Sequence, residues 1–162
     1  MQYQGCLLVV KDAQKSKIFY QELFGCAVEL DLEDYVIFKE GIMLQQEGTW
    51  LGFIKRKEGS LTYQHLTAEL YFEEENLDGF MERQSATEAI QIISPVTEHE
   101  WGQRSVRFFD PDGHLLEVGE SMKVVVKRYL NNGMTVEEAA AKSMFPVSFV
   151  QACLEELKEN AE

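Results

Sequence analysis

The chain reads twice, and that repeat limits its fold more than any other feature. Gly5-Cys6-Leu7-Leu8-Val9-Val10-Lys11-Asp12 aligns without a gap on Glu69-Leu70-Tyr71-Phe72-Glu73-Glu74-Glu75-Asn76. In each copy an alternating, strand-like run ends in a short polar residue of the kind that caps a helix. Further on, Phe38 to Gln45 aligns on Asp110 to Glu117, with Gly41 over Gly113 and Gln45 over Glu117. Two copies of one small module are expected, related by a pseudo-twofold axis with a ligand cleft between them.

Each copy reads as β-α-β-β-β. In the first, a strand near residues 3 to 10 runs to Asp12, which caps a helix whose inward stripe is Ile18, Phe19, Leu23 and Phe24, and Gly25 ends it in a left-handed turn. Strands follow at about 26 to 32, 35 to 39 and 42 to 46. In the second, Thr67 to Glu73, a helix capped by Asn76 and carrying Leu77, Phe80 and Met81, then Ala89 to Ile93, Ser105 to Phe109 and Leu115 to Val118 repeat the order around the Asp110-Pro111-Asp112-Gly113 turn. The expected class is α+β: tandem βαβββ modules at about 3–47 and 67–119 make a paired domain over 1–119. Residues 48 to 66 read as a linker, and residues 120–162 as a helical tail.

Composition narrows the partners. The chain has 162 residues, 45% of them hydrophobic, enough for a core without staples. Cys6, Cys26 and Cys153 form an odd, widely spaced set, which indicates neither a disulfide framework nor a zinc knuckle. No apolar stretch approaches the roughly 20 residues that cross a membrane, and no basic leader precedes the first strand, so the expected location is the cytoplasm. With 15 basic against 28 acidic residues the net charge is -13, which argues against a nucleic-acid footprint. The excess is first of all a hydrated surface.

The run Asp12-Ala13-Gln14-Lys15-Ser16-Lys17-Ile18-Phe19-Tyr20-Gln21-Glu22-Leu23-Phe24-Gly25, with Phe108-Phe109-Asp110-Pro111-Asp112-Gly113-His114-Leu115-Leu116-Glu117, resembles the glyoxalase, bleomycin-resistance and extradiol-dioxygenase superfamily, the vicinal oxygen chelate fold. The resemblance covers about residues 3 to 119. It implies paired modules whose sheets curl around a cleft, commonly in a homodimer; metal enzymes and metal-free binding proteins share the fold. In metal-dependent members the ion is held by the first and last strands of each module. Carried over by the repeat, those positions are Gly5, Gln45, Glu69 and Glu117. Glu69, Glu117 and Gln45 offer hard oxygen ligands suited to manganese, magnesium or calcium. Gly5 offers none, so the quartet is incomplete.

The histidines do not complete it. His65 stands about 13 Å from Glu69 along an extended strand, and His114 alternates out of phase with Glu117. His99, beside Trp101 in an expected loop, is free to swing toward the cleft. Without metal, two glutamates facing a shielded hollow should raise at least one carboxyl pKa, giving a general acid or base or a partner for a cation; the bland alternative is that both face water. Tyr71, Trp50 and Trp101 are the aromatic candidates for ligand contact, the two tryptophans because each lies near a glycine at an expected cleft mouth. Arg104 and Arg107 are candidates to clamp an anion, against the plainer use of a surface ion pair.

In the tail, residues 121 to 130 read as an apolar helix, Thr135 with Glu138 as a capping box, and Pro146 as the start of a helix carrying Phe149, Val150, Cys153, Leu154 and Leu157. The last two helices resemble a helix-turn-helix, but the second offers Gln151, Glu155 and Glu156 before its first lysine, so a docking or dimer-strengthening role is favoured. Three readings follow. The chain binds a small apolar or aromatic molecule in the cleft; or it is a divalent-metal lyase, isomerase or dioxygenase using Glu69 and Glu117; or it is a ligand-responsive regulator acting through its tail. Only the second is an enzyme, and only the second calls for a cofactor, the divalent ion.

Overall fold

The computed structural model describes residues 1–85 and 90–159. Two compact units emerge: residues 1–68 with 109–115, and residues 69–108 with 116–162. Each holds a four-stranded sheet of the same strand order. In unit 1, β1 (Cys6–Val10), α1 (Ala13–Phe24), β2 (Val28–Asp31), β3 (Tyr35–Phe38) and β4 (Ile42–Gln46) give the order β1-β4-β3-β2. In unit 2, β5 (Leu70–Glu74), α3 (Leu77–Ser85), β6 (Gln91–Glu98), β7 (Arg104–Phe109) and β8 (Leu115–Glu120) give β5-β8-β7-β6. The first and last strands of each module pair in parallel, with β1 and β5 at one edge of their sheets. The strand expected over Ala89 to Ile93 begins at Gln91, with Ala89 itself outside the described residues.

Local chemistry explains the elements. The Asp12 carboxylate accepts from Gln14 and Lys15 backbone N–H groups, and Gly25 closes α1 at φ 68°. The buried stripe of α1 is Ala13, Ser16, Phe19, Tyr20 and Leu23. Ile18, expected inward, is 50% exposed. Tyr20 takes that place because its hydroxyl finds a buried partner, Asp110 Oδ2 at 2.9 Å. Its ring packs 6.0 Å from Phe38, on the sheet face that buries Val10, Val36 and Leu44. In unit 2, Phe80 of α3 stacks on Phe108 at 6.2 Å. Each such side chain contributes about 1.5–3 kcal/mol of burial.

The Asp110-Pro111-Asp112-Gly113 turn belongs to unit 1 and is structural. Asp112 accepts from Lys11 N at 3.0 Å and from Ser16 Oγ at 2.8 Å, and Asp110 accepts from Tyr20 and from the N–H groups of Asp112 and His114. The His114 ring sits 2.9 Å from Asp110 Oδ2. Burial works against charge on His114, yet the two aspartates outweigh it and raise its pKa.

The segment expected as a linker contains a helix, α2 (Glu47–Phe53). It lacks a side-chain cap and carries Gly48 and Gly52, so its sequence reads as loop. The tail forms α4 (Met122–Asn131), α5 (Val136–Ser143) and α6 (Val147–Glu159), with the Thr135–Glu138 capping box present. Val125, Val126, Tyr129, Ala139, Val150 and Cys153 form its core. No helix among the described residues is long and apolar enough to cross a membrane.

Candidate functional site

Pairing sets what each sheet shows on the face away from its helix. In unit 1, Val9 lies opposite Gln45 and Leu7 opposite Met43, while Tyr35 lies on the other side of Gln45. Gln45 is buried and donates from Nε2 to the Asp34 carbonyl at 2.9 Å; Thr49 Oγ1 donates to Asp34 Oδ2 at 2.6 Å. Beside them is a pocket of about 460 Å³, walled by Leu7, Leu32, Tyr35, Trp50 and Phe53 with Gln45, Asp34 and Thr49 as its polar groups. Trp50 reaches it from a helix, α2, not from the expected loop. A mostly apolar wall with a few fixed polar groups is what a small organic ligand needs.

The same position in unit 2 is acidic. Tyr71 lies opposite Glu117, and Glu69 sits one residue before β5. Arg107 of β7 joins the two glutamates, donating from Nε to Glu69 Oε2 at 3.3 Å and from Nη2 to Glu117 Oε2. The Glu69 side chain is 36% exposed, whereas Glu117 as a residue is only 5% exposed. Burial, reinforced by Glu69, holds the Glu117 carboxyl above the usual carboxylate range, against the pull of Ser105 and Arg107.

Loop residues extend this row. Trp101 Nε1 donates to Gln103 Oε1 at 3.1 Å, and Gln103 Nε2 donates to Tyr71 Oη at 2.7 Å. His99 is not free to swing: its ring stacks on Trp101 at 4.4 Å and 4°, with Nε2 2.9 Å from Ser105 Oγ. Arg104 lies on the opposite face of β7 from Arg107. There it binds buried Glu120 through Nε and Nη2 and Asp78 through Nη1 and Nη2. Burial tends to raise the Glu120 pKa, but Arg104 and Arg128 lower it overall.

The structure thus gathers Gln45 and Trp50 in unit 1, and Glu69, Tyr71, Trp101 and Glu117 in unit 2, with Arg104 engaged elsewhere in unit 2. Ser105, Gln103 and Glu120 escaped the sequence reading. Ser105 shares the alternation of Arg107, two positions away, which was the available signal.

A divalent ion, which the superfamily implies, does not fit the unit 2 residues as they stand. The Arg107 guanidinium already supplies the cation between Glu69 and Glu117, and Gly5 has no side chain to offer. Among the described residues no three His, Cys, Asp or Glu side chains gather to hold a metal ion.

Twin sheets of one strand order, each with its helix on one face and polar groups on the other, define a paired-module protein of the glyoxalase type. The chain belongs to the glyoxalase-like domain family, whose pattern it matches over residues 3–123. It is 33% identical over 114 residues to the metallothiol transferase FosB of Shouchella clausii, covering 67% of this chain and 73% of that one. A protein of unknown function from Agrobacterium tumefaciens superposes with a TM-score of 0.67 at 31% identity, over 75% of this chain and 94% of that one. A glyoxalase/bleomycin resistance protein/dioxygenase family enzyme from Burkholderia phytofirmans gives a TM-score of 0.64 at 15% identity, over 74% and 98%; it bears on the fold alone.

Proposed function

We propose that this protein is a glyoxalase/bleomycin-resistance-like binding protein for a small apolar or aromatic molecule, working as a homodimer in the cytoplasm without a required metal. The observation that carries the reading is the unit 1 pocket of about 460 Å³, in which Trp50 and Tyr35 offer ring faces and Gln45 a fixed amide. Tyr71 and Trp101 in unit 2 add aromatic surface of the same kind. Free thiols at Cys6, Cys26 and Cys153 suit a reducing compartment.

In a Trp101→Phe background Trp50 is the only indole, so its emission can be titrated with 1-anilino-8-naphthalenesulfonate. Saturable quenching is expected, and Leu7→Arg, which fills the pocket with a charged chain, should weaken it at least about tenfold, or 1.4 kcal/mol. Quenching that does not saturate, or that survives Leu7→Arg in the folded variant, overturns the reading.

The metal-enzyme reading draws on the FosB relative, a metallothiol transferase by name. It requires Glu69 and Glu117, with Gln45, to exchange Arg107 for an ion. Stoichiometric manganese in protein purified without chelators, lost on Glu117→Gln, would favour it. The tail-regulator reading gains nothing from α6, where Lys123 and Lys127 of α4 are both taken up by Glu156.

A further inference from the structure

We propose that α4 is a positioning element for the polar row on unit 2: Arg128 and Tyr129 hold the turn from His99 to Gly102 so that His99, Trp101 and Gln103 keep their places. Several independent contacts converge on that turn. Tyr129 Oη donates to the Trp101 carbonyl at 3.0 Å, and Arg128 Nη2 donates to the Gly102 carbonyl at 2.6 Å. Gly102, at φ 82°, lies so close to Tyr129 that a Cβ there would stand 1.6 Å from its hydroxyl oxygen. The turn is closed by its own backbone, Gly102 N to His99 O at 2.8 Å and His99 N to Gln103 O at 2.9 Å. Holding two of its carbonyls therefore holds all of it.

The same helix grips the strand behind the turn. Arg128 Nη1 binds both oxygens of Glu120, at 3.0 and 3.1 Å, and Glu120 returns an oxygen to the Arg104 N–H at 3.1 Å. The Glu120 carbonyl accepts from Gln103 Nε2 at 2.8 Å, and that same nitrogen reaches Tyr71. Trp101 meanwhile packs against the tail core. Beyond the turn the linkage continues from His99 to Ser105 and from Ser105 to Glu117. Arg128 and Tyr129 bond the backbone of the turn at the Gly102 and Trp101 carbonyls, so they act through the turn and are positioning residues. The inference concerns the arrangement of the row and stands whether or not a ligand uses it.

The test uses the full chain and no ligand. In a Trp50→Phe background all indole signal comes from Trp101, whose near-ultraviolet circular dichroism reports its fixed stack on the His99 ring. Tyr129→Phe, which removes one oxygen, and Arg128→Lys, which keeps the charge near Glu120 but lacks the second nitrogen reaching Gly102, should each cut that indole band by about twofold or more. Far-UV circular dichroism should stay at the background level, showing that the fold is kept. A folded variant of either kind with an unchanged indole band overturns the proposal. A general loosening would also reduce the Trp50 band in a Trp101→Phe background, which should stay unchanged.

Discussion

The two modules share a strand order but differ in what they place at matching positions. At the end of the last strand, unit 1 has Gln45 beside an apolar pocket, and unit 2 has Glu117 held by Arg107. The turns before those strands differ as much. Glu40 in the first is exposed and accepts from the Ala27 N–H, while its counterpart Asp112 is buried and binds both Lys11 N and Ser16 Oγ. Duplication has preserved the hydrogen-bonded frame and released the side chains. Sheet order depends on backbone pairing and alternation, which tolerate substitution, whereas a site depends on single residues.

The comparison can be broken most decisively at Glu120, a buried charge with no counterpart on the matching face of unit 1, where Gly48 stands three residues past Gln45. Glu120→Gln leaves Arg104 and Arg128 facing an uncharged amide and should cost about 3 kcal/mol in urea unfolding. Next come the paired turns. Asp112→Ala strips the partner from two donors and should cost about 2 kcal/mol, while Glu40→Ala should change stability by less than about 0.5 kcal/mol; equal effects would mean the turns are equivalent after all.

Within β8, Glu117 and Glu120 should differ in the sign of their pH dependence. The Glu120 pKa is lowered on folding, so its contribution is present above the ordinary carboxylate pKa and is lost as pH falls through the lowered value. The Glu117 pKa is raised, so its contribution is present below the ordinary value and is lost as pH rises through the raised one. Glu117→Gln should therefore be neutral or stabilising by up to about 1 kcal/mol at neutral pH, and Glu120→Gln should flatten the acid limb of the stability curve; unfolding at a series of pH values checks both. The smallest effect is expected from metal. If Arg107 already serves as the counter-ion, millimolar manganese or EDTA should move the thermal midpoint by less than about 1 °C, since no tight site is there to be linked to folding.

Much of this was legible beforehand. Alternation, the Asp12 cap, Gly25 and the Asp-Pro-Asp-Gly turn are local signals, and they gave the module order and the approximate strand limits. The repeat expected Glu69 within a strand, whereas it stands one residue before β5, beside the strand that carries Glu117. Arg107 was within reach as well: the Asp110 N–H bonds the His114 carbonyl, and three residues outward from that pair stand Arg107 and Glu117. Helix α2 was not legible, because Glu47-Gly48-Thr49-Trp50-Leu51-Gly52-Phe53 has neither cap nor period. Nor was the Arg104–Glu120–Arg128 network, since nothing local assigns one buried carboxylate to two of 15 basic residues. His99 looked mobile because its restraint is a stacked ring and a serine on the next strand.

The turn over 110–113 has one more consequence, for how the chain is made. Its aspartates hold the start of α1 through bonds spanning 101, 96 and 90 residues. A nascent chain that has released only its first module lacks those acceptors, so Ser16 and Tyr20 wait for groups supplied much later in translation. Such distant closure slows folding, and the amino-terminal half should reach full protease resistance only after residue 115 has left the ribosome.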